Sequence, residues 1–141
     1  MTDKHRYISL IRTYYQGCNN ADAALMKTTF CDDVVHYFTH HPKISGAENL
    51  ANYWVKMQPR IKGEWHLDHA LVDGTECVIE WTMVWQSPVG ERELIRGAEW
   101  YEFRDDKISE IRAYYLNRHI PYDRANFELD EFPYKKRNYA S

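Results

Sequence analysis

Residues 96–115 read RGAEWYEFRDDKISEIRAYY and predict two antiparallel strands joined by a tight turn. The first run, 97–103, is rich in aromatic residues, and the second, 108–115, is rich in β-branched and aromatic residues. The charged residues 104–107 between them are typical of a hairpin turn. Alternation along the second strand predicts one face made of Ile111, Ala113 and Tyr115 and an opposite face made of Glu110, Arg112 and Tyr114.

The acidic residue of the first strand, Glu99, lies between Ala98 and Trp100. If its carboxyl group is buried, we expect a raised pKa, because desolvation disfavours the charged form. A neutral acid can donate a hydrogen bond to an oxyanion or act as a general acid. The alternative is a glutamate on the outer face of the sheet, or one paired with Arg96 or Arg112.

Upstream of the hairpin, hydrophobic spacing predicts three helices and three more strands. The predicted helices are 3–17, 23–30 and 47–58, and the predicted strands are 34–38, 63–72 and 76–86. With the hairpin this makes about three helices and five strands. Helices followed by strands favour the α+β class, with the helices packed on one face of a curved, mostly antiparallel sheet. The open end of such a sheet tends to leave a pocket.

The composition limits the classes of function. The chain has 141 residues, which suits one domain, and a net charge of −3, which gives no basic surface for nucleic acid. No run approaches the roughly 18 apolar residues of a membrane span. The N-terminus is too polar for a signal peptide, and the three cysteines, Cys18, Cys31 and Cys77, show no C-x-x-C spacing. We therefore expect a cytoplasmic protein with reduced, buried cysteines and no nucleic-acid or membrane partner.

Three further side chains are candidates for chemistry. Tyr14 lies on the apolar stripe of the first helix, either as a core tyrosine or as a donor into a cavity. His36 shares a strand face with Phe38, and a neutral imidazole there could accept a proton from an acidic carbon; the alternative is a hydrogen-bonded core histidine. His69 is a second candidate for the proton carrier, because alternation in residues 64–72 leaves its direction open.

Aromatic residues make up 15% of the chain, which suits the apolar wall of a ligand pocket as well as a plain core. The side chains predicted to form that wall are Phe38, Trp54, Met57, Trp81, Met83 and Tyr115, and Trp85 alternates with Trp81 and Met83 on the same strand face. Five histidines between residues 36 and 69 raise the question of a metal, but no H-x-x-x-H helix or Cys/His pairing supports one. No phosphate loop or dinucleotide motif is present, so we expect neither a metal nor a cofactor.

Four segments together resemble one family. They are YYQGCNNAD at 14–22, FCDDVV at 30–35, ISGAENL at 44–50 and the hairpin itself. Over roughly residues 5–117 the chain resembles the SnoaL-like (polyketide cyclase and ketosteroid isomerase-like) branch of the nuclear transport factor 2-like superfamily. The resemblance implies a cystatin-like cone in residues 1–117, in which a strongly bent sheet wraps around a long first helix. It also implies a homodimer and a cavity at the wide end of the cone.

The resemblance also implies roles for individual residues. Tyr14 matches a tyrosine of ketosteroid isomerases that donates to the substrate oxyanion, and Glu99 matches a protonated aspartate that assists it. The catalytic base of those enzymes falls on Phe38, and an acid of the related epoxide hydrolases falls on Ala113. Neither of these two positions carries an acid here.

Three functions follow as hypotheses. The first is a cofactor-free isomerase, cyclase or dehydratase for a small, largely apolar carbonyl- or hydroxyl-bearing molecule, in which Tyr14 and Glu99 stabilise negative charge and His36 or His69 moves the proton. The second is a non-catalytic binding or dimeric assembly domain, and the third is a cofactor-free hydrolase. A pocket of several hundred Å³ with Tyr14, His36 and Glu99 converging would favour an enzyme.

Two features concern assembly. Both faces of the hairpin carry apolar area and only one can face the helices, so we expect a homodimer. The C-terminal tail, 118–141, packs either on the domain, across the pocket mouth or on a partner subunit.

Overall fold

The computed structural model describes residues 3–121 and 126–140, in which three helices pack on one face of an open, curved sheet. The helices are α1 (Asp3–Asn20), α2 (Ala23–Lys27) and α3 (Ala47–Ile61). The strands are β1 (Phe30–Phe38), β2 (Ile44–Ser45), β3 (Glu64–Asp73), β4 (Glu76–Gln86), β5 (Arg92–Arg104) and β6 (Lys107–Tyr115). The predicted α+β class is confirmed, and the sixth strand is the two-residue β2, within a segment predicted to be a loop.

The sheet has the strand order β2-β1-β6-β5-β4-β3. Every neighbouring pair is antiparallel except β1 and β6, which run parallel. The predicted hairpin is β5–β6, and its two central turn residues, Asp105 and Asp106, adopt positive φ angles of 51° and 62°. Two left-handed residues match the right-handed twist of the flanking strands, which is why this turn closes a hairpin.

The helix boundaries differ from the prediction for local reasons. Gly17 does not end α1; it lies inside the helix where α2 comes close, and a Cβ atom there would lie 2.5 Å from Cγ of Met26. α2 stops at Lys27, so that Phe30 begins β1 instead of ending a helix. Pro59 does not stop α3, which continues to Ile61 and ends at Lys62 in the left-handed conformation.

The core fills the space between α1 and the concave face of the sheet. The stripe of α1 that faces it comprises Tyr7, Ile11, Tyr14 and Cys18, all buried. The ring of Tyr7 stacks on Phe103 of β5 with centroids 3.9 Å apart. The alternation predicted for β6 is confirmed, since Ile111 and Ala113 are buried beside this core while Glu110 and Arg112 face the other side.

The described part of the tail, 126–140, packs on the outer face of the sheet. Leu129 and Phe132 are buried against Tyr37 of β1 and Tyr114 of β6. Arg137 donates to Glu110 and Glu102, and its guanidinium lies 4.9 Å from the ring centroid of Phe132. Of the predicted tail, residues 122–125 and 141 lie outside the described residues.

All three cysteines are buried and free of disulfides. Within the described residues, no helix is both long enough and apolar enough to cross a membrane.

Candidate functional site

A cavity of about 150 Å³ lies between α1, α3 and the concave face of the sheet. This volume is smaller than the several hundred Å³ that would favour an enzyme. It is close to the volume of a cavity that accommodates one benzene ring. The six side chains predicted to form an apolar wall all line it: Phe38, Trp54, Met57, Trp81, Met83 and Tyr115. Tyr14, His36 and Glu99 also line it, so the structure brings together three of the four predicted catalytic side chains.

Glu99 is the buried carboxyl group of this cavity, with 6% of its surface exposed. It lies on β5 directly opposite Ala113 of β6, and the register turns it toward the helices. Its Oε1 atom accepts hydrogen bonds from the hydroxyl groups of Tyr15 and Tyr101, the latter at 2.6 Å. The second oxygen, Oε2, faces the imidazole of His36 at 3.9 Å from Nε2.

Burial raises the pKa of Glu99 to about 7, although the hydrogen bonds from Tyr101 and Tyr15 oppose the shift. Desolvation disfavours the carboxylate more than two neutral donors stabilise it. The same burial raises the pKa of Tyr14, Tyr15, Tyr101 and Cys18 well above their usual values, so these neighbours stay neutral. Glu99 is therefore the group among them that changes charge near neutral pH.

His36 is almost completely buried on β1, and its ring stacks on Phe38 with centroids 3.9 Å apart. Its Nδ1 atom lies 3.1 Å from the carbonyl oxygen of Tyr37, which can only accept, so Nδ1 carries the proton and donates. Nε2 is then an acceptor, and it has no hydrogen-bond partner among the described residues. Burial lowers the pKa of His36 to about 3, partly offset by the bond to Tyr37, so the ring is neutral at pH 7.

Tyr14 lies on α1 with its hydroxyl group accepting a hydrogen bond from Nε1 of Trp54 at 2.8 Å. Its side chain is 1% exposed and packs edge-on against Phe30. A hydroxyl oxygen that accepts from an indole retains its own proton, so Tyr14 can still donate.

His69 does not lie in the cavity, which corrects its predicted place in the site. It is exposed on β3 and pairs with Glu80, while its neighbour Ala70 pairs with the buried Ile79. A β-bulge between Leu67 and His69 adds one residue to the strand, and this reverses the faces beyond it. Plain alternation from Leu67 cannot show such a bulge.

Several residues of the site were not predicted from the sequence. Tyr15 and Tyr101 are the donors to Glu99; Tyr101 is two residues from Glu99 on the same strand face, a signal that was present in the sequence. Besides Tyr15, the cavity residues that were missed are Cys18, Tyr53, Ile61, Trp65, Ile95, Ala113 and Asn117. Trp85 lines the cavity together with Trp81 and Met83, as strand alternation predicts. Among the described residues, the buried indole N–H groups of Trp81 and Trp85 have no hydrogen-bond partner. In the described part of the chain, no cluster of three or more His, Cys, Asp or Glu is arranged to hold a metal ion.

The comparisons with known proteins come from sequence and from structure. Residues 11–111 match the sequence model of the SnoaL-like domain. No curated protein sequence matches the chain significantly. A protein of unknown function with a cystatin-like fold from Methylobium petroleophilum PM1 superimposes with a TM-score of 0.82 at 32% identity, covering 98% of this chain and 93% of that one.

Two more distant structures share the fold. An epoxide hydrolase of M. tuberculosis, described as LEH-like, superimposes with a TM-score of 0.72 at 20% identity, covering 81% of this chain and 85% of its own. A proposed polyketide cyclase from Xanthomonas campestris pv. campestris superimposes with a TM-score of 0.70 at 20% identity, covering 81% and 93%. At these identities the likeness establishes the fold alone.

Proposed function

The chain belongs to the family of SnoaL-like domains, and within it we propose that this protein is an enzyme of the isomerase or dehydratase type. It transfers protons on a small, largely apolar substrate bearing a carbonyl or hydroxyl group. The observation that carries the proposal is Glu99, a buried carboxyl group at the cavity wall whose pKa is raised to about 7. An acid–base group is most effective when its pKa lies near the working pH.

The contacts of Glu99 support a separate role for each of its two oxygens in this proposal. Oε1 accepts from both Tyr15 and Tyr101, so the proton of the neutral acid resides on Oε2. Oε2 faces His36 and is the atom that gives or takes a proton. The two tyrosines hold the carboxyl group in one orientation, which keeps Oε2 directed at the bound molecule.

His36 and Tyr14 act as neutral groups in this proposal. With a pKa lowered to about 3, His36 is a weak base, so Glu99 replaces it as the proton carrier and His36 serves as a hydrogen-bond acceptor through Nε2. Tyr14 supplies a donor for negative charge that develops on a substrate oxygen. Its hydroxyl oxygen is held by Trp54, which fixes the position from which it donates.

The volume of the cavity limits the substrate to about one ring. Two one-ring probes test the two reaction types. In 3-hydroxycyclohexanone, loss of the hydroxyl group as water and of one α-proton forms cyclohex-2-en-1-one. In cyclohex-3-en-1-one, a proton leaves the carbon between the carbonyl and the double bond and returns at the far end of that bond, giving the same product.

Formation of the conjugated enone is followed by its ultraviolet absorbance. We expect the wild-type protein to accelerate at least one of the two reactions, and Glu99→Gln to reduce that rate about 100-fold or more. Glutamine keeps the size and still accepts from Tyr15 and Tyr101, so it removes the proton transfer with little change in packing. Equal rates for wild type and variant in both reactions would contradict the proposal and favour a non-catalytic binding domain.

A cofactor-free hydrolase is the second candidate, and one distance favours it. When Glu99 is ionised, Oε2 and Nε2 of His36 are two acceptors 3.9 Å apart, and a water molecule can donate to both. Such a water would be activated for attack on an electrophilic carbon. Hydrolysis of cyclohexene oxide to the diol, lost in Glu99→Gln, would support this candidate over the first.

A further inference from the structure

We propose that the Glu99–His36 pair binds the hydroxyl group of the substrate, so that the cavity selects a one-ring alcohol over the corresponding ketone. This inference deepens the proposed function and rests on the same cavity, but it concerns binding and not turnover.

The hydrogen-bonding state of His36 leaves one of its ring nitrogens available to a ligand. The carbonyl oxygen of Tyr37 accepts from Nδ1, which leaves Nε2 as an acceptor. Nε2 is buried, and in the part of the chain that the structure describes it has no hydrogen-bond partner. A buried acceptor without a donor is costly, so a ligand that donates to Nε2 gains affinity there.

The distance between His36 and Glu99 suits one bridging atom. Oε2 lies 3.9 Å from Nε2, which is too far for a direct hydrogen bond. One oxygen atom at about 2.8 Å from each closes the gap, and its two hydrogen bonds then meet at about 90°, an angle that a hydroxyl oxygen tolerates. The space between the two side chains therefore fits a single bridging oxygen.

The hydrogen bonds of Glu99 determine the chemistry of that oxygen. Because Oε1 already accepts from Tyr15 and Tyr101, a neutral Glu99 donates through Oε2. The bridging oxygen must accept from Oε2 and donate to Nε2, which a hydroxyl group does and a ketone oxygen does not. A ketone in this position leaves Nε2 of His36 unpaired.

The rest of the cavity suits the ring of such an alcohol. Phe38 stacks on His36, and Trp54 lies at 6.1 Å from both rings, so apolar surface surrounds the polar pair. A water molecule can also bridge the pair, but it leaves the apolar walls without contact. An alcohol replaces the water's hydrogen bonds and adds the burial of its ring.

The test compares cyclohexanol with cyclohexanone by isothermal titration calorimetry at pH 6, where Glu99 is mostly neutral. We expect cyclohexanol to bind about tenfold more tightly, the difference expected when one buried acceptor is left unpaired. His36→Phe keeps the stacking on Phe38 and removes the acceptor, so the ratio of the two dissociation constants should fall to about one. Leu116→Ala, at an exposed residue outside the cavity, is the control that should keep the ratio.

A second measurement uses the wild-type protein alone. In protein labelled with ¹⁵N at histidine, the Nε2 resonance of His36 should shift with cyclohexanol and remain in place with cyclohexanone. Equal affinities, no binding of either ring, or an unmoved Nε2 resonance with cyclohexanol bound would overturn the inference. None of these readouts requires turnover. A preference for cyclohexanol without enone formation would contradict only the proposed enzymatic activity. Enone formation without that preference would contradict only this inference.

Discussion

Oε2 of Glu99 and Nε2 of His36 lie 3.9 Å apart, and each side chain is at most 7% exposed. In water the two groups would carry opposite charges between about pH 4.5 and 6.5. Here burial opposes both charges. It raises the pKa of Glu99 to about 7 and lowers the pKa of His36 to about 3, so the neutral forms face each other between about pH 3 and 7. The carboxyl group, and not the imidazole, is the side chain of this pair that titrates at physiological pH.

Glu99→Gln should stabilise the protein at alkaline pH. The folded pKa of Glu99 is raised above that of the unfolded chain, so the folded state binds more protons between about pH 4.5 and 7, and stability falls as the pH rises through this window. Glutamine has no charge to bury, so the variant should gain up to about 3 kcal/mol at pH 8.5 and little at pH 4. Urea unfolding at both values measures this, and an equal difference at pH 4 and pH 8.5 would contradict it.

The pH dependence of turnover should have its midpoint near 7 and a direction that depends on the reaction. If Glu99 first protonates a leaving hydroxyl group, kcat/KM should fall as the pH rises through about 7. If it first removes a carbon-bound proton, kcat/KM should rise over the same range to a plateau. The 3-hydroxycyclohexanone and cyclohex-3-en-1-one assays separate the two cases, and a flat profile from pH 6 to 8 in both would exclude Glu99.

Tyr101→Phe should raise the pKa of Glu99 further above 7. The Tyr101 hydroxyl donates to Oε1 at 2.6 Å and favours the carboxylate, so its loss shifts the balance toward the neutral acid. The midpoint of the pH profile reports this change. Tyr14→Phe is the matched control: its hydroxyl does not bond to Glu99, so it should lower turnover about 100-fold through the lost donor without a comparable shift in the midpoint.

We also expect a homodimer, formed through the outer face of β3, β4 and β5. Cross-strand neighbours Leu71, Val78 and Trp100 form an apolar row there, and Leu71 is 60% exposed. Contiguous exposed apolar surface of this kind marks interfaces. Light scattering at micromolar concentration should give the mass of two chains, and Leu71→Lys should halve it.

Val89→Lys is the control for the dimer, because Val89 is as exposed as Leu71 but lies in the turn between β4 and β5. It should leave the mass unchanged. A wild-type mass of one chain would refute the dimer.

The tail should contribute to stability without shaping the cavity. Phe132 is buried against Tyr37 and lies beside Arg112 and Arg137 on the outer face of the sheet. Phe132→Ala should therefore destabilise the fold by about 3 kcal/mol, the usual lower range for a buried phenylalanine. Enone formation at 10 °C should stay within about twofold of wild type if the domain remains folded, whereas a large loss of activity there would indicate that the tail supports the cavity.

Much of the fold was determined by the sequence itself. The period-2 pattern of Ile111, Ala113 and Tyr115 set the inner face of β6, and the pair Asp105–Asp106 set its turn, because both signals act between near neighbours in the chain. The flanking residues Ala98 and Trp100 likewise predicted that Glu99 lies on a strand in an apolar environment. The family motifs then supplied the cone and its cavity, into which Tyr14, His36 and Glu99 converge.

The features of the site that only the tertiary structure decided depend on contacts between segments that are distant in the sequence. Tyr15 reaches Glu99 across 84 positions of sequence, and the resulting pair of donors on Oε1 directs the proton to Oε2. The bulge that turns His69 outward appears only in the pairing of β3 with β4. The pKa of Glu99 and the neutral state of His36 follow from burial by residues of other elements, since desolvation is a property of the packed environment and not of the neighbouring sequence.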